Sequence, residues 1–289
     1  MMLTAYRVEM EKVFSKWRTY IGFIALGALI PIIVIALGIE GQDYLNIITQ
    51  QFGSQFDFKG KLINGYTVSF IIFAALYVHV PFMITLVAGE VLAGEATSGT
   101  YRLILTRPIS RATMVTAKYL AVLTYTVLLV FFMAIMSLGL GIPILGTDSL
   151  LVIRSETITI LSADDLMWRF ILAYMYAAMS MVTVASVAFL FSSLVENAIG
   201  PIMTTMSIII GMTIISAIDV PIFDYLRPLF FTNHMNGWKF FFDVPAEAES
   251  MTYAADWSRI AISGSVLLLH IVGCFVAAQL IIRRKDILT

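Results

Sequence analysis

Charged residues are scarce in this sequence: Asp, Glu, Lys and Arg make up 13% of its 289 residues. About a quarter is usual in a soluble globular protein. Hydrophobic residues account for 60% of the chain, and the mean hydropathy is +0.91. This composition argues against a water-soluble domain and predicts a polytopic membrane protein.

Cysteine and net charge are limited as well. The single cysteine, Cys274, lies in an apolar run and excludes an intramolecular disulfide. The net charge of −1 provides no basic field for binding nucleic acid. The first residues are charged and patterned, whereas a signal peptide has a short basic region followed by an apolar core, so we predict no cleavable signal peptide.

Six stretches are apolar enough to cross a bilayer, which takes roughly 20 residues as a helix. They lie at about 20–39, 67–89, 114–141, 166–191, 198–218 and 260–282. Pro31 and Pro81 fall inside the first two stretches and predict kinks there. We therefore predict an all-α polytopic membrane protein, with residues 20–289 forming a single six-span transmembrane domain.

The distribution of basic residues predicts the orientation. Six spans place both termini, the segment 90–113 and the turn 192–197 on one side of the membrane. Eleven of the eighteen basic residues lie on that side: Arg7, Lys12, Lys16, Arg18, Arg102, Arg107, Arg111, Lys118, Arg283, Arg284 and Lys285. By the positive-inside rule this side faces the cytoplasm, which predicts a multi-pass protein of the cytoplasmic (inner) cell membrane with both termini inside.

Residues 1–19 carry an amphipathic helical pattern. Apolar side chains recur at helical spacing: Leu3, Tyr6, Met10, Val13, Phe14 and Trp17. We predict an interfacial helix that contacts membrane lipid, with Lys12, Lys16 and Arg18 on its polar face and Trp17 as an aromatic anchor.

Three segments are predicted on the outer side. Residues 40–66 and 142–165 are expected to be loops, and the long aromatic segment 219–259 is expected to form short helices at the interface. No internal repeat relates the first three spans to the last three, which weakens a prediction of an inverted-repeat secondary transporter.

The polar segment 90–113 separates the second and third spans. Its Gly94-x4-Gly99 spacing suggests a phosphate-binding loop, but Thr100 follows where such a loop has lysine, so we predict no ATP site. Glu90 and Glu95 suit the start of a short helix, and Ser110 is placed to cap the next one. The segment is either a helix that docks on a partner or a solvated loop with positive-inside charge.

One run of residues supports the docking interpretation. Glu95-x3-Gly99-Thr100-x2-Leu103-x4-Pro108-x-Ser110-Arg111-x6-Lys118 resembles the signature of the ABC-2-type exporter permeases. The resemblance extends over most of the chain and includes the amphipathic N-terminal helix, the six spans, the long outer loop and the Arg-Lys-Asp-Ile ending.

The resemblance implies the membrane-spanning permease subunit of an ATP-binding cassette exporter. Such a chain binds no cofactor, and the ATP and Mg are used by a separate ATPase subunit. Two ATPase copies would join a dimer made of this chain and a second permease copy, either identical or a close paralogue. The implied ATPase-coupling residues are Glu95, Gly99, Thr100, Arg102, Leu103, Arg107, Pro108, Ser110 and Arg111.

Two other functions are open to the same sequence. A non-transporting membrane scaffold could use the same ATPase coupling. An ion-coupled secondary transporter would need acidic residues midway through its spans, and the predicted spans contain none. No His-Glu-x2-His or Gly-x-Ser-x-Gly pattern occurs, so intramembrane hydrolysis has no support. Because the sequence has no nucleotide-hydrolysis motif either, the chain is predicted to be a transport component and not an enzyme.

Four further residues have both a functional and an ordinary interpretation. His79 and His270 lie near the middle of spans, where they suggest a proton relay or a haem site, or neutral side chains hydrogen-bonded within the bundle. Glu196 and Asn197 either contact the ATPase or cap the fifth span. The sequence predicts no metal site.

Overall fold

The computed structural model describes residues 1–50, 62–97, 110–153, 158–243 and 255–284. Most of them are helical. The long elements are α1 (Met2–Phe14), α2 (Trp17–Gln50), α3 (Gly65–Tyr77), α4 (Val80–Ala88), α5 (Glu90–Thr97), α6 (Arg111–Leu145), α7 (Leu166–Leu194), α8 (Ile199–Ala217) and α11 (Trp257–Arg284). Two short helices, α9 (Pro221–Asp224) and α10 (Phe231–Met235), lie between α8 and α11.

The described part of the chain contains five helices that are long and apolar enough to cross a membrane. They are Trp17–Gly41, Arg111–Leu145, Ala163–Leu194, Ile199–Ala217 and Trp257–Arg284. The bent pair formed by α3 and α4 makes a sixth if it is one span. The fold is therefore that of a helical polytopic membrane protein, and the number of six spans stays a prediction.

Proline has different effects in the first two windows. The helix ends at Tyr77 and restarts at Val80, with a bend of 47° between α3 and α4. Pro81 occupies the first turn of α4, where its missing N–H has no helical partner to lose. The kink predicted there is confirmed, whereas Pro31 lies inside α2, which runs without interruption.

Two predicted outer loops contain regular structure, and the prediction of loops there was wrong. The helix α2 continues to Gln50, because residues 42–50 include no Gly or Pro to end it. Strands β1 (Leu150–Ile153) and β2 (Ile158–Leu161) form an antiparallel hairpin with Leu150 opposite Leu161. The alternating burial of Leu150 and Val152 is the period of a half-buried strand.

The segment after α8 folds back into the bundle. Short 3₁₀ helices at Arg227–Leu229 and Asn236–Phe242 accompany α9 and α10. Trp238 is only 1% exposed and stacks on Phe73 of α3 with ring centroids 4.2 Å apart. This part of the predicted interfacial loop is therefore core, while Tyr225 remains exposed.

The two ends of the bundle differ in charge. We call the end that carries α1, α5, the start of α6 and the last turn of α11 the basic end. The opposite end, which carries β1 and β2, is the hairpin end.

Candidate functional site

The coupling residues implied by the resemblance are only partly described. Gly99, Thr100, Arg102, Leu103, Arg107 and Pro108 lie outside the described residues. Glu95, Ser110 and Arg111 lie at the two edges of that stretch, at the basic end. The described part of the candidate site therefore consists of the helices on either side of this stretch.

The helix α5, which leads into the stretch, begins on a side chain from another helix. The Ser192 hydroxyl, near the end of α7, accepts hydrogen bonds from the N–H groups of Leu92 (3.1 Å) and Ala93 (2.9 Å). The same hydroxyl donates to the carbonyl of Gly89 at 2.6 Å. Because first-turn N–H groups have no helical partner, Ser192 fixes where α5 starts.

Gly89 allows the bundle to close around this junction. A Cβ at this position would lie 2.9 Å from the Thr85 carbonyl oxygen and 3.0 Å from Ile202 of α8. A larger residue would push α8 away, since the backbone nitrogen of Ile202 lies only 3.2 Å from the same position and cannot rotate aside. The small side chain therefore keeps α4, α5 and α8 in contact.

Four charged side chains from three helices meet beside α5. The Lys118 ammonium group, on α6, lies 2.8 Å from Glu9 and 2.5 Å from Glu95. The Lys12 ammonium group lies 2.8 Å from Glu9 and 3.0 Å from Glu95. We call Glu9, Lys12, Glu95 and Lys118 the ion cluster. Its two positive and two negative charges sum to zero. Each carboxylate contacts both amines.

The helices dictate this arrangement. Glu9 and Lys12 are three residues apart on α1 and therefore share one face. The same face packs against α6, where the Tyr6 hydroxyl and Thr124 are 2.8 Å apart. The Lys118 side chain is 1% exposed, and it lies two turns into α6. Burying an ammonium group is costly unless it is paired and hydrogen-bonded, and Glu9 and Glu95 supply these partners.

Burial and charge act in opposite directions on the pKa values of two groups of α1, Glu9 and Lys12. Burial alone would raise the pKa of Glu9, but the nearby Lys118 and Lys12 outweigh it and hold the pKa below its ordinary value. Burial alone would lower the pKa of Lys12, but hydrogen bonds to Glu9 and Glu95 raise it. Both shifts favour the charged pair.

These shifts predict how stability depends on pH. Because the pKa of Glu9 is lowered by folding, its contribution is present above its ordinary value of 4.5 and is lost as the pH falls through the native pKa. We expect the thermal unfolding midpoint of the purified protein to fall steeply below about pH 4.5. A Glu9→Gln variant should show a flatter profile there, and identical profiles for the two proteins would contradict the assignment.

A second, more exposed group of charges joins the junction of α1 and α2 to α5, and the helix predicted over residues 1–19 in fact ends at Phe14. Lys16 and Arg18 both contact Glu90, at 3.3 Å and 3.0 Å. Their side chains are 46% and 55% exposed, so each contact contributes under about 1 kcal/mol. Trp17, between them, is 74% exposed, as a membrane anchor would be.

The residues that follow the undescribed stretch lie at the start of α6. Ser110 accepts a hydrogen bond from the Thr113 N–H at 3.1 Å, so the predicted cap is confirmed. The Arg111 guanidinium donates to the carbonyls of Ile282 and Arg283, at 3.5 and 3.4 Å, in the last turn of α11. A cation at a helix C-terminus interacts favourably with the helix dipole.

The turn between α7 and α8 also contacts α5. The Thr97 hydroxyl donates to the Glu196 carbonyl at 2.5 Å. Asn197, just before the N-cap residue Ala198, accepts a hydrogen bond from the Ile199 N–H at 3.0 Å, which favours the capping alternative for Asn197. The two histidines of the predicted spans have carbonyl partners four residues earlier in the chain. His79, in the break between α3 and α4, contacts the Ala75 carbonyl, and His270 within α11 contacts that of Val266.

Sequence reasoning selected Lys12 and Glu95 and gave no role to Glu9. Lys118 closes the family signature and was expected to meet lipid headgroups, but this expectation was wrong, because its side chain is 1% exposed and pairs with Glu9 and Glu95. Lys118 could have been found as a cation inside an apolar window, which signals a functional or paired group. Glu9 could have been found because it falls on the same helical face as Tyr6 and Val13.

Comparison with known proteins assigns the chain to a family. Residues 26–288 match the family described as "Protein of unknown function (DUF2705)". This chain belongs to DUF2705. Glu95 and Lys118 lie within the matched DUF2705 region, whereas Glu9 and Lys12 precede it.

One curated relative is similar over part of its length. The chain is 26% identical over 178 residues to the "Uncharacterized protein YhcI" of Bacillus subtilis (strain 168). The alignment covers 59% of this chain and 56% of the relative, so the chain matches little more than half of the relative's length. Neither this name nor the DUF2705 description states an activity.

Proposed function

We propose that this chain is the membrane-spanning permease subunit of an ABC-2-type exporter. It moves a substrate across the cytoplasmic membrane by means of ATP hydrolysed by a separate subunit. Its six spans place both termini in the cytoplasm, and two permease chains assemble with two ATPase subunits. The segment 90–113 is the contact with the ATPase.

The ion cluster is the observation that carries this proposal. Glu95 lies near the end of α5, just before the stretch that would meet the ATPase. Through Lys118 it is joined to α6, and through Lys12 it is joined to α1. Breaking a buried charge pair costs about 3–5 kcal/mol, so a partner that moves this stretch would move the membrane helices with it.

The charge of the two ends supports the orientation. Lys16, Arg18 and Arg111 lie at the basic end, together with Arg283 and Arg284 at the end of α11. Asp148, Asp164 and Asp165 flank the hairpin at the other end. The positive-inside rule assigns the basic end to the cytoplasm.

Cysteine labelling tests the orientation. In a Cys274→Ser background, single cysteines at Gln50, Thr147 and Lys239 should react with an impermeant maleimide on intact cells. Ser15→Cys, at the basic end, should react only after the membrane is permeabilised. The reverse pattern would contradict the proposed topology.

Co-purification tests the function. The intact chain, purified in mild detergent, should bring with it an equal number of ATP-binding cassette subunits. Arg102→Ala should reduce this amount about tenfold or more, because buried charged contacts at interfaces contribute about 2–5 kcal/mol. Arg259→Ala, at the exposed start of α11 in the hairpin half, is the matched control and should have no effect.

A second variant separates binding from coupling. Glu95→Gln should keep the ATPase bound but reduce its ATP hydrolysis in reconstituted vesicles, because the connection to Lys118 loses its charge. Purification of the chain without any ATPase subunit, or normal hydrolysis by Glu95→Gln, would argue against the proposed coupling.

A further inference from the structure

A groove of about 450 Å³ lies between α6 and α7 in the hairpin half of the bundle. Its walls are residues of α6 between Val127 and Gly139 and residues of α7 between Ile171 and Ala178. Ligand sites in proteins commonly enclose about 300–1,000 Å³, so the groove is large enough to hold part of a small molecule.

The lining of the groove is apolar. Among its side chains only Tyr174 has a polar group, and the Tyr174 hydroxyl is hydrogen-bonded at 2.6 Å to Ser137. Phe131 and Met175 stand at the rim and are 59% and 64% exposed. A polar ligand would lose its hydrogen bonds to water here without replacement, so the groove suits hydrocarbon.

At the basic end of the bundle, α6 contacts α11. Gln279 donates to the Thr116 hydroxyl at 2.8 Å, and Tyr119 stacks on Phe275 with centroids 4.5 Å apart. From Tyr119 to Val127 the helix α6 rises by about 12 Å. The groove therefore begins beyond this junction, and its walls include no residue of α11.

The length and depth of the groove match one leaflet of a bilayer. From Val127 to Gly139 the helix rises by about 18 Å, roughly half of the 30 Å hydrocarbon core. Ile171 lies one turn from Trp168, whose ring stacks on Trp257 at the hairpin end. Paired tryptophans at that level are typical of the membrane interface. The groove thus runs from the interface toward the bilayer centre.

We propose that this groove binds one acyl chain of a phospholipid from the leaflet at the hairpin end. The headgroup stays at the level of Trp168, and the chain lies along α6 and α7. The site requires a bilayer around the bundle and does not depend on the transport function proposed above.

Photolabelling tests this site. The intact protein is reconstituted in vesicles of phosphatidylethanolamine and phosphatidylglycerol that contain a phosphatidylethanolamine with a diazirine midway along one acyl chain. After irradiation, labelled residues are located by mass spectrometry. Met175 in the groove and Met203 on α8 are almost equally exposed, at 64% and 60%, and provide an internal comparison.

Two glycine substitutions provide the matched variants. A Cβ at Gly139 has only Ile135 nearby, at 3.9 Å, so Gly139→Leu fills the groove without displacing the backbone. Gly211→Leu, on α8, is the control, because no atom lies within 4 Å of its Cβ position. Gly139→Leu should reduce labelling at Met175 about fivefold, the change that corresponds to excluding one or two methylenes.

Three results would overturn the proposal. Equal labelling of Met175 and Met203 in the wild-type protein would mean that the groove holds only bulk lipid. Unchanged labelling of Met175 in Gly139→Leu would place the lipid elsewhere. A disulfide between two chains carrying Leu138→Cys, with Met175 unlabelled, would show that a second copy fills the groove.

Discussion

Replacing Lys118 with methionine is expected to lower the stability of the protein by about 3–5 kcal/mol. Methionine keeps most of the side-chain volume but removes the buried positive charge. Glu9 and Glu95 then lose the amine that lies between them, although both still contact Lys12, and their like charges repel at short range. For a chain of this size the loss corresponds to a fall in the thermal unfolding midpoint on the order of 10 °C, measured in detergent solution.

Two further variants distinguish the ion cluster from general damage to α6. Lys16→Met removes a half-exposed amine and should cost under about 1 kcal/mol. Adding Glu95→Gln to Lys118→Met leaves Glu9 and Lys12 balanced and should recover part of the lost stability. Additive losses in the double variant would refute the shared arrangement of charges.

Replacing Arg169 with methionine should have an effect of similar size at the other end of the bundle. The Arg169 side chain is fully buried and pairs with Asp165 at 2.6 Å. It also donates to the carbonyl of Phe241 and lies 4.7 Å over the Trp168 ring. Without it a buried carbonyl loses its partner, and the expected cost is again about 3–5 kcal/mol.

The effect of Arg169→Met should be concentrated in the segment after α8. Hydrogen exchange of Asn236–Phe242 is expected to accelerate more than that of α6, because Arg169 holds this segment to α7. Arg169→Lys should be intermediate, since lysine lacks the planar fork that reaches two partners. Arg259→Met, which removes an exposed pair with Asp256, is the control. Uniform acceleration in all helices would contradict this local role.

Features set by neighbouring residues were predictable from the sequence. Ser110 caps α6 because a hydroxyl precedes a helix by a fixed spacing, and Pro81 marks a break because its ring constrains the preceding turn. The apolar windows could be predicted equally well, since hydrophobicity over roughly 20 residues is a local property of the sequence.

Features that join distant parts of the chain were not predictable. Lys118 and Glu9 are separated by 109 residues, and no spacing rule relates them. Trp238 belongs to a segment without helical periodicity, so its place against Phe73 depends on how α3 and α7 pack. The hairpin was missed for another reason: its strands have only four residues each, too few for the alternation to stand out.

The cap that Ser192 places on α5 has a consequence for the order of events during synthesis. Leu92 and Ser192 are separated by 100 residues. At about 5–20 residues per second, a ribosome makes Ser192 roughly 5–20 s after Leu92. Throughout that interval the first N–H groups of α5 cannot donate hydrogen bonds to the Ser192 hydroxyl. The helix can therefore take its described start only on nascent chains in which α7 has already been made and has returned to the basic end.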